Sequence, residues 1–309
     1  MKCLLACLFA CLLTLVSPRA EARLLPGVNV AALAVAGDRL YVGGFDQGLF
    51  VVEPDHAPRR LQAPGLSQHI NALAWSAAER VLWVATARGL VRCRHEAALT
   101  CLRIGPTRAV HALLLRQGGE LVAGGDDGLL FVRGETTRVL GKKERAPFRA
   151  VWALAEAGGH LYVGAINGLF WGATDGFHPE APLSRASVVQ GSLPDDWVTA
   201  LLVQENALYV GTYNSGVAHF VRGAGKLVRG GNNPALGHVN PAGIVPLSAD
   251  TLAVCSMEGL WNFSPTGKVH RLERLGDITA VARAPSGEYW VSTRQGLERL
   301  EPSQAKERD

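Results

Sequence analysis

His111 is the residue whose type most invites chemistry, because an imidazole titrating near neutrality can take a proton from a substrate. No nucleophile or carboxylate is fixed beside it by spacing, and a hydrogen-bonded interior histidine accounts for it as well. Asp126 and Asp127 could together bind a cation, but Asp-Asp-Gly is equally an ordinary turn between strands. Phe45, Trp197 and Tyr213 stand among polar neighbours, where flat rings would serve a sugar or a peptide. The sequence has no Gly-x-Ser-x-Gly, no His-Glu-x-x-His and no phosphate loop. Cys93, Cys101 and Cys255 show neither Cys-x-x-Cys nor Cys/His spacing, so no metal site is expected, and no cofactor either. The catalytic set is therefore empty, while the residues suited to binding are several.

What positions them is a repeat. A glycine recurs as Gly48, Gly89, Gly128, Gly168, Gly216, Gly259 and Gly296, at steps of 41, 39, 40, 48, 43 and 37 residues, which signals a repeat architecture. An apolar run precedes each, as in Leu40-Tyr-Val-Gly-Gly44, Leu161-Tyr-Val-Gly-Ala165 and Leu208-Tyr-Val-Gly-Thr212. Earlier still comes a β-branched residue followed two and three places on by a small-apolar pair: Val30 with Ala32-Leu33, Ile70 with Ala72-Leu73, Val110 with Ala112-Leu113, Val151 with Ala153-Leu154 and Val198 with Ala200-Leu201. Ile244 with Pro246-Leu247 and Ile278 with Ala280-Val281 complete the series. Each copy supplies strands A, B and C, with fourth strands expected at Arg60-Leu61, Leu102-Arg103, Arg138–Leu140, Val188-Val189, Leu227-Val228 and Val269–Leu272. Four antiparallel strands in about 40 residues make one propeller blade. The expected fold is thus an all-β, seven-bladed β-propeller. The seventh copy lacks a fourth strand after Leu300, whereas Arg23–Gly27 stands before the first strand A as Leu61–Gly65 does before the second. The N-terminal strand is expected to join the last blade and close the ring, removing an open edge.

The pattern V-x-A-L…L-Y-V-G-T-x-x-G-L resembles the two-component regulator propeller repeat of periplasmic sensor regions in bacterial hybrid histidine kinases. The likeness spans essentially the whole chain after residue 22 and is closest over Val198–Val217 and Ile70–Leu90. It implies a propeller and a sensor-like, ligand-binding role, and it says almost nothing about the ligand. Those sensors carry a membrane span and a kinase and string together more blades, so signalling does not carry over.

In such blades the D–A and B–C connections share one face, and loops on a rigid ring are where binding residues accumulate. The candidate ligand-binding residues on that face are Phe45, Asp46, Gln47, Arg88, Asp126, Asp127, Asn167, Tyr213, Asn214, Glu258 and Arg294 from the B–C loops. The D–A loops add His69, Arg108, Arg149, Asp195, Trp197, His238 and Asn240. Strand A places Asn71, His111, Trp152, Thr199 and Thr279 at equivalent positions. Two insertions stand out: residues 172–185 read as a Pro-bearing surface excursion, and residues 229–241 as a segment that could lid the channel mouth.

Lys2, the apolar run Cys3–Val16 and the small-residue site Ala20-Glu21-Ala22 read as a secretory signal over residues 1–22, cleaved before Arg23. Lipidation at Cys7 or Cys11 fits less well, since either cut would leave apolar residues at the new N-terminus. The propeller is expected over 23–301, with a polar tail at 302–309. Cys93 and Cys101 flank a short connector and could pair across a hairpin in an oxidising compartment, or stay reduced. Cys255 reads as a small buried residue. The net charge of +4 is too small and scattered for a nucleic-acid partner. The expectation is an exported, periplasmic or secreted monomer, non-catalytic, that binds a small molecule, glycan or protein at its D–A/B–C face. A propeller-type lyase or hydrolase, and a structural module of an envelope or surface assembly, stay open beside it.

Overall fold

The computed structural model describes residues 23–300 apart from 176, 179, 181, 224–225, 249–250, 265–268 and 272–276. The expected signal (1–22) and the polar tail (302–309) lie outside the described residues. Six four-stranded antiparallel sheets and one of three strands follow one another along the chain, each in the order A-B-C-D. Blade 5, for example, runs Val198–Gln204, Ala207–Thr212, Val217–Gly223 and Lys226–Asn233. Each strand A touches the strand A of the next blade, and that of blade 7 (Ile278–Arg283) touches that of blade 1 (Val30–Ala36), so the ring is closed.

Closure uses the N-terminus. Leu24 and Leu297 exchange both backbone hydrogen bonds, at 2.9 and 2.8 Å, and the Gly27 N–H donates to the Gln295 carbonyl at 3.0 Å. The Arg23 guanidinium holds Glu298 from Nε at 2.9 Å. The blade-7 strand C (Gly296–Leu300) thereby gains the partner its own blade does not supply.

One contact explains two of the repeated motifs. In strand A the alternate residues Val30, Ala32, Ala34 and Ala36 are buried, while Ala31 and Leu33 border the channel and Leu33 and Val35 also pack into the seam with blade 7. The leading β-branched residue of each blade lies over the glycine of the Leu-Tyr-Val-Gly run in the preceding blade. A Cβ on Gly43, Gly164 or Gly211 would come within 2.5, 2.5 and 2.6 Å of Ile70, Val198 and Val239. Burial of one such side chain contributes about 1.5–3 kcal/mol. Each of the seven seams has its own apolar cluster, such as Val30, Val42 and Leu297 across the closure and Ala155, Val198 and Phe220 between blades 4 and 5. At Ala85, Cys255 and Ser292 the glycine is replaced by slightly larger residues, all fully buried. The thiol of Cys255 is pushed up to about 12 by that burial. Cys93 and Cys101 face each other across strands C and D of blade 2 and form a disulfide.

Four expectations are corrected. Blade 6 begins at Val239, not Ile244: Val239 pairs with Ser256 as Val198 does with Thr212, and a wide irregularity over 240–243 separates it from Ile244. The fourth strand of blade 4 is Ser184–Ala186, with Val188 and Val189 in the turn after it. Residues 229–233 are not a lid; they extend strand D of blade 5, and a single 3₁₀ turn, Pro234–Leu236, leads into blade 6. Nor is the excursion after strand C of blade 4 merely superficial, because Phe177 is buried against Phe148.

Candidate functional site

The D–A/B–C face is assembled by a backbone bond that all seven blades share. The residue just ahead of strand A accepts a hydrogen bond from the first residue of the B–C loop in the same blade. The pairs are Asn29 with Phe45, His69 with Ala87, Ala109 with Asp126, Ala150 (and Arg149) with Ile166, Trp197 with Tyr213, His238 with Met257 and Asp277 with Arg294, at 2.8–3.3 Å. The backbone holds each pair at one height on the rim, and the side chains differ from blade to blade.

The second residue of strand A is bulged out of register in the blades beginning at Val30, Ile70, Val110, Val151, Val198 and Ile278. An extra residue at a bulge re-aims its side chain. Asn71, Thr199 and Asn240 use the new direction to reach the next blade, donating to the carbonyls of Val110, Val239 and Ile278 at 2.7, 2.6 and 2.6 Å. His111 and Trp152 instead stack on each other, ring centroids 4.1 Å apart and planes within 4°.

From that stack an aromatic arc runs around four blades. Trp152 meets Trp197 at 5.8 Å and 60°, Trp197 stacks on Tyr213 at 4.1 Å and 7°, and Tyr213 meets His238 at 4.1 Å. All five rings are half-buried. Asp195 fixes the middle of the arc, accepting from the N–H groups of Trp197 at 3.0 Å and Asn214 at 2.8 Å. Phe45 and His69 form a shorter pair at 4.0 Å across blades 1 and 2, with Phe45 exposed. The indole N–H groups of Trp152 and Trp197 are buried without a hydrogen-bond partner among the described residues. Burial, first, and the Arg294 charge push the His238 imidazole below its ordinary range, against opposing pulls from Glu258 and Asp195.

His111 does have a carboxylate partner, contrary to the expectation from spacing: its Nε2 lies 2.9 Å from Oδ1 of Asp126. Several other singled-out side chains brace the loops. Gln47 links to the N–H of Asn29 and the carbonyl of Gly27. Asn167 accepts from the Arg149 N–H at 2.9 Å and donates to the Pro147 carbonyl at 3.0 Å. Arg108 pairs with Asp127 at 3.3 Å. Asp46, Arg88, Arg149, Glu258 and Arg294 are exposed on the rim. Among the described residues no group of three His, Cys, Asp or Glu side chains is placed to hold a metal ion.

Beneath the arc the channel opens into a cavity of about 150 Å³. Its wall is Leu33, Leu73, Leu113, Leu154 and Leu201, and its collar Asn71, His111 and Trp152. Sequence reasoning had assigned these leucines to the scaffold. The signal was their place: each stands two residues beyond the bulged position, so the inward face of strand A continues down the channel.

No protein-family model matches the chain, and no curated protein matches it in sequence. Solved structures do match in shape. The WD40 propeller domain of Doa1 aligns with a TM-score of 0.69 at 14% identity, covering 92% of this chain and 97% of that one. The extracellular domain of the putative one component system BT4673 from B. thetaiotaomicron aligns with a TM-score of 0.74 at 14% identity over 90% of this chain. That of the putative hybrid two component system BT3049 from the same organism gives 0.70 at 15% identity over 89%. The chain spans only 39% and 40% of those two ectodomains' own length. No described helix is long and apolar enough to cross a membrane. In fold, the chain is similar to the extracellular domains of these putative bacterial one- and two-component systems, as the repeat pattern implied.

Proposed function

We propose that the protein is an exported, monomeric, non-catalytic binding module that takes its ligand at the D–A/B–C face, over the mouth of the central channel. The observation that carries this reading is the aromatic arc from His111 to His238. Five rings drawn from four successive blades lie on one rim, at positions where the blades do not repeat one another. Aromatic side chains there offer large contact area at small conformational cost. The arrangement favours a small molecule, or a peptide or glycan offering a flat face, with Asn214, Glu258, Arg294 and Arg149 as polar contacts around it. The extracellular character of the two sensor ectodomains supports export.

A thermal-shift screen of residues 23–309 against sugars, peptides, nucleotides and amines tests the reading. Ligands that raise the melting temperature should lose at least about tenfold in affinity in Trp197→Ala or Tyr213→Ala. Ligands that bind equally well to both variants would overturn it. The second reading, a lyase or hydrolase, is favoured by one feature: the His111–Asp126 pair has the geometry of an oriented general base. Turnover of any screened compound that is abolished by His111→Gln would establish that reading instead.

A further inference from the structure

The geometry points to an amphipathic small molecule as the ligand: a protonated amine head at the His111–Asn71 collar, with an apolar tail about the size of a benzene ring in the channel below. This rests on the D–A/B–C face being the binding face, and it names what that face would take.

The tail follows from the cavity. The leucines at 33, 73, 113, 154 and 201 form its apolar side across blades 1 to 5, Pro241, Ala242, Ala280 and Val281 complete the ring from blades 6 and 7, and it measures about 150 Å³. A space of about 150 Å³ is the size that holds a benzene ring.

The head follows from which hydrogen-bonding atoms are already used. Asn71 spends one Nδ2 hydrogen on the Val110 carbonyl, leaving Oδ1 as an acceptor and one amide N–H as a donor. His111 engages Asp126 through Nε2. With Nε2–H donating, the neutral ring keeps Nδ1 as an acceptor. The indole N–H of Trp152 is buried, so that ring does not add a donor to the cavity surface. The collar thus offers two acceptors against one amide N–H, with the negative Asp126 carboxylate behind them. A primary ammonium, with three donors and a positive charge, complements that set. A carboxylate does not.

Benzylamine, benzyl alcohol and phenylacetate serve as probes of matched tail and different head, read by melting temperature and tryptophan fluorescence. Benzylamine should bind most tightly, benzyl alcohol more weakly, and phenylacetate not at all. Asp126→Asn should weaken benzylamine about tenfold and leave benzyl alcohol unchanged. Ala31→Leu, which fills the cavity from its rim, should abolish binding of both. If that variant melts much lower than the parent, Leu73→Phe makes the same test from another blade. Equal binding of benzylamine and phenylacetate overturns the head assignment. Undiminished benzylamine binding in the filled variants, or none to the parent, overturns the proposal. A screened ligand that is lost in Trp197→Ala but kept in Ala31→Leu would leave the binding face standing and overturn this account alone.

Discussion

The two faces of the ring link neighbouring blades in different proportions of polar and aromatic contact. On the A–B/C–D face charge pairs and hydrogen bonds stand beside ring contacts such as Tyr41 on Trp75. Arg116 of blade 3 reaches Glu156 of blade 4 at 3.0 Å and also pairs with Glu120. Tyr41 of blade 1 shares a 3.0 Å bond with His95 of blade 2. The Tyr289 hydroxyl of blade 7 donates to the Leu247 carbonyl of blade 6 at 3.2 Å. On the D–A/B–C face the hydrogen bonds from Asn71, Thr199 and Asn240 are joined, between blades 3, 4, 5 and 6, by ring-on-ring contacts. A charge pair has a fixed partner and direction, and once made it presents little to a third body. A row of stacked rings keeps edges and outer rims available. Both faces hold the ring together, but only one does so with groups that can also hold something else.

The sharpest way to break that comparison lies inside one loop. Gly216 has φ +67°, and a Cβ there would run into the Asn233 carbonyl. Gly216→Val should cost about 3 kcal/mol or more in chemical denaturation, through strain and displacement of the neighbouring strand. Asn214→Ala, two residues away and exposed, should cost less than about 0.5 kcal/mol. It would act on ligand affinity alone. If both variants lose stability alike, scaffold and site are not separable on this face.

On the other face, the Cys93–Cys101 disulfide constrains an eight-residue separation. Its reduction, or the double Cys→Ser variant, should lower stability by about 2.5 kcal/mol with binding at the opposite face intact. Arg116→Met should cost about 2 kcal/mol, because it leaves Glu120 and Glu156 near each other without their shared cation. Adding Glu156→Gln should recover part of the loss. A change in ligand affinity in either experiment would mean that the faces are coupled through the blades.

The fold was legible because what repeats is what packs. A β-branched residue needs a small residue beneath it in the preceding blade, most often glycine, so both recur, and the echo of Leu61–Gly65 in Arg23–Gly27 exposed the closing strand. Blade 6 was misread for a physical reason. Its bulge is enlarged by Pro241, Ala242 and Gly243, so that Ile244-Val-Pro-Leu imitates the motif better than the true start at Val239 does. With Val239 in place, the leading residues fall at 30, 70, 110, 151, 198, 239 and 278, a more even spacing. The site was legible only in part. Trp197 and Tyr213 stood out as unrepeated aromatics, but Gln47, Asn167 and Asp195 could not be sorted from ligand contacts, since braces and binding groups draw on the same residue types. The His111–Asp126 pair is fifteen residues apart. It becomes visible only once the bulge and the first B–C residue are known to share a rim.

The smallest effect is a pH dependence that should differ between the faces. Burial pushes His238 on the arc and His95 on the opposite face below their ordinary range; Arg294 assists in the first case, Arg39 and Arg59 in the second. Glu258 and Asp195 oppose the shift at His238, and Glu53 opposes it at His95. A depressed histidine resists protonation in the fold, so the unfolded chain takes up the proton first as pH falls. The stability each neutral ring contributes is therefore complete above about pH 6.5, the unfolded value, and is lost as pH drops from there towards the folded value. The melting temperature should be level above neutrality and decline below it, with the decline made shallower by either His95→Gln or His238→Gln. Ligand binding separates the two. Protonating His238 places a charge in the arc, so affinity should fall with pH in the parent and in His95→Gln but lose that dependence in His238→Gln. If His95→Gln removes it instead, the ligand sits on the other face.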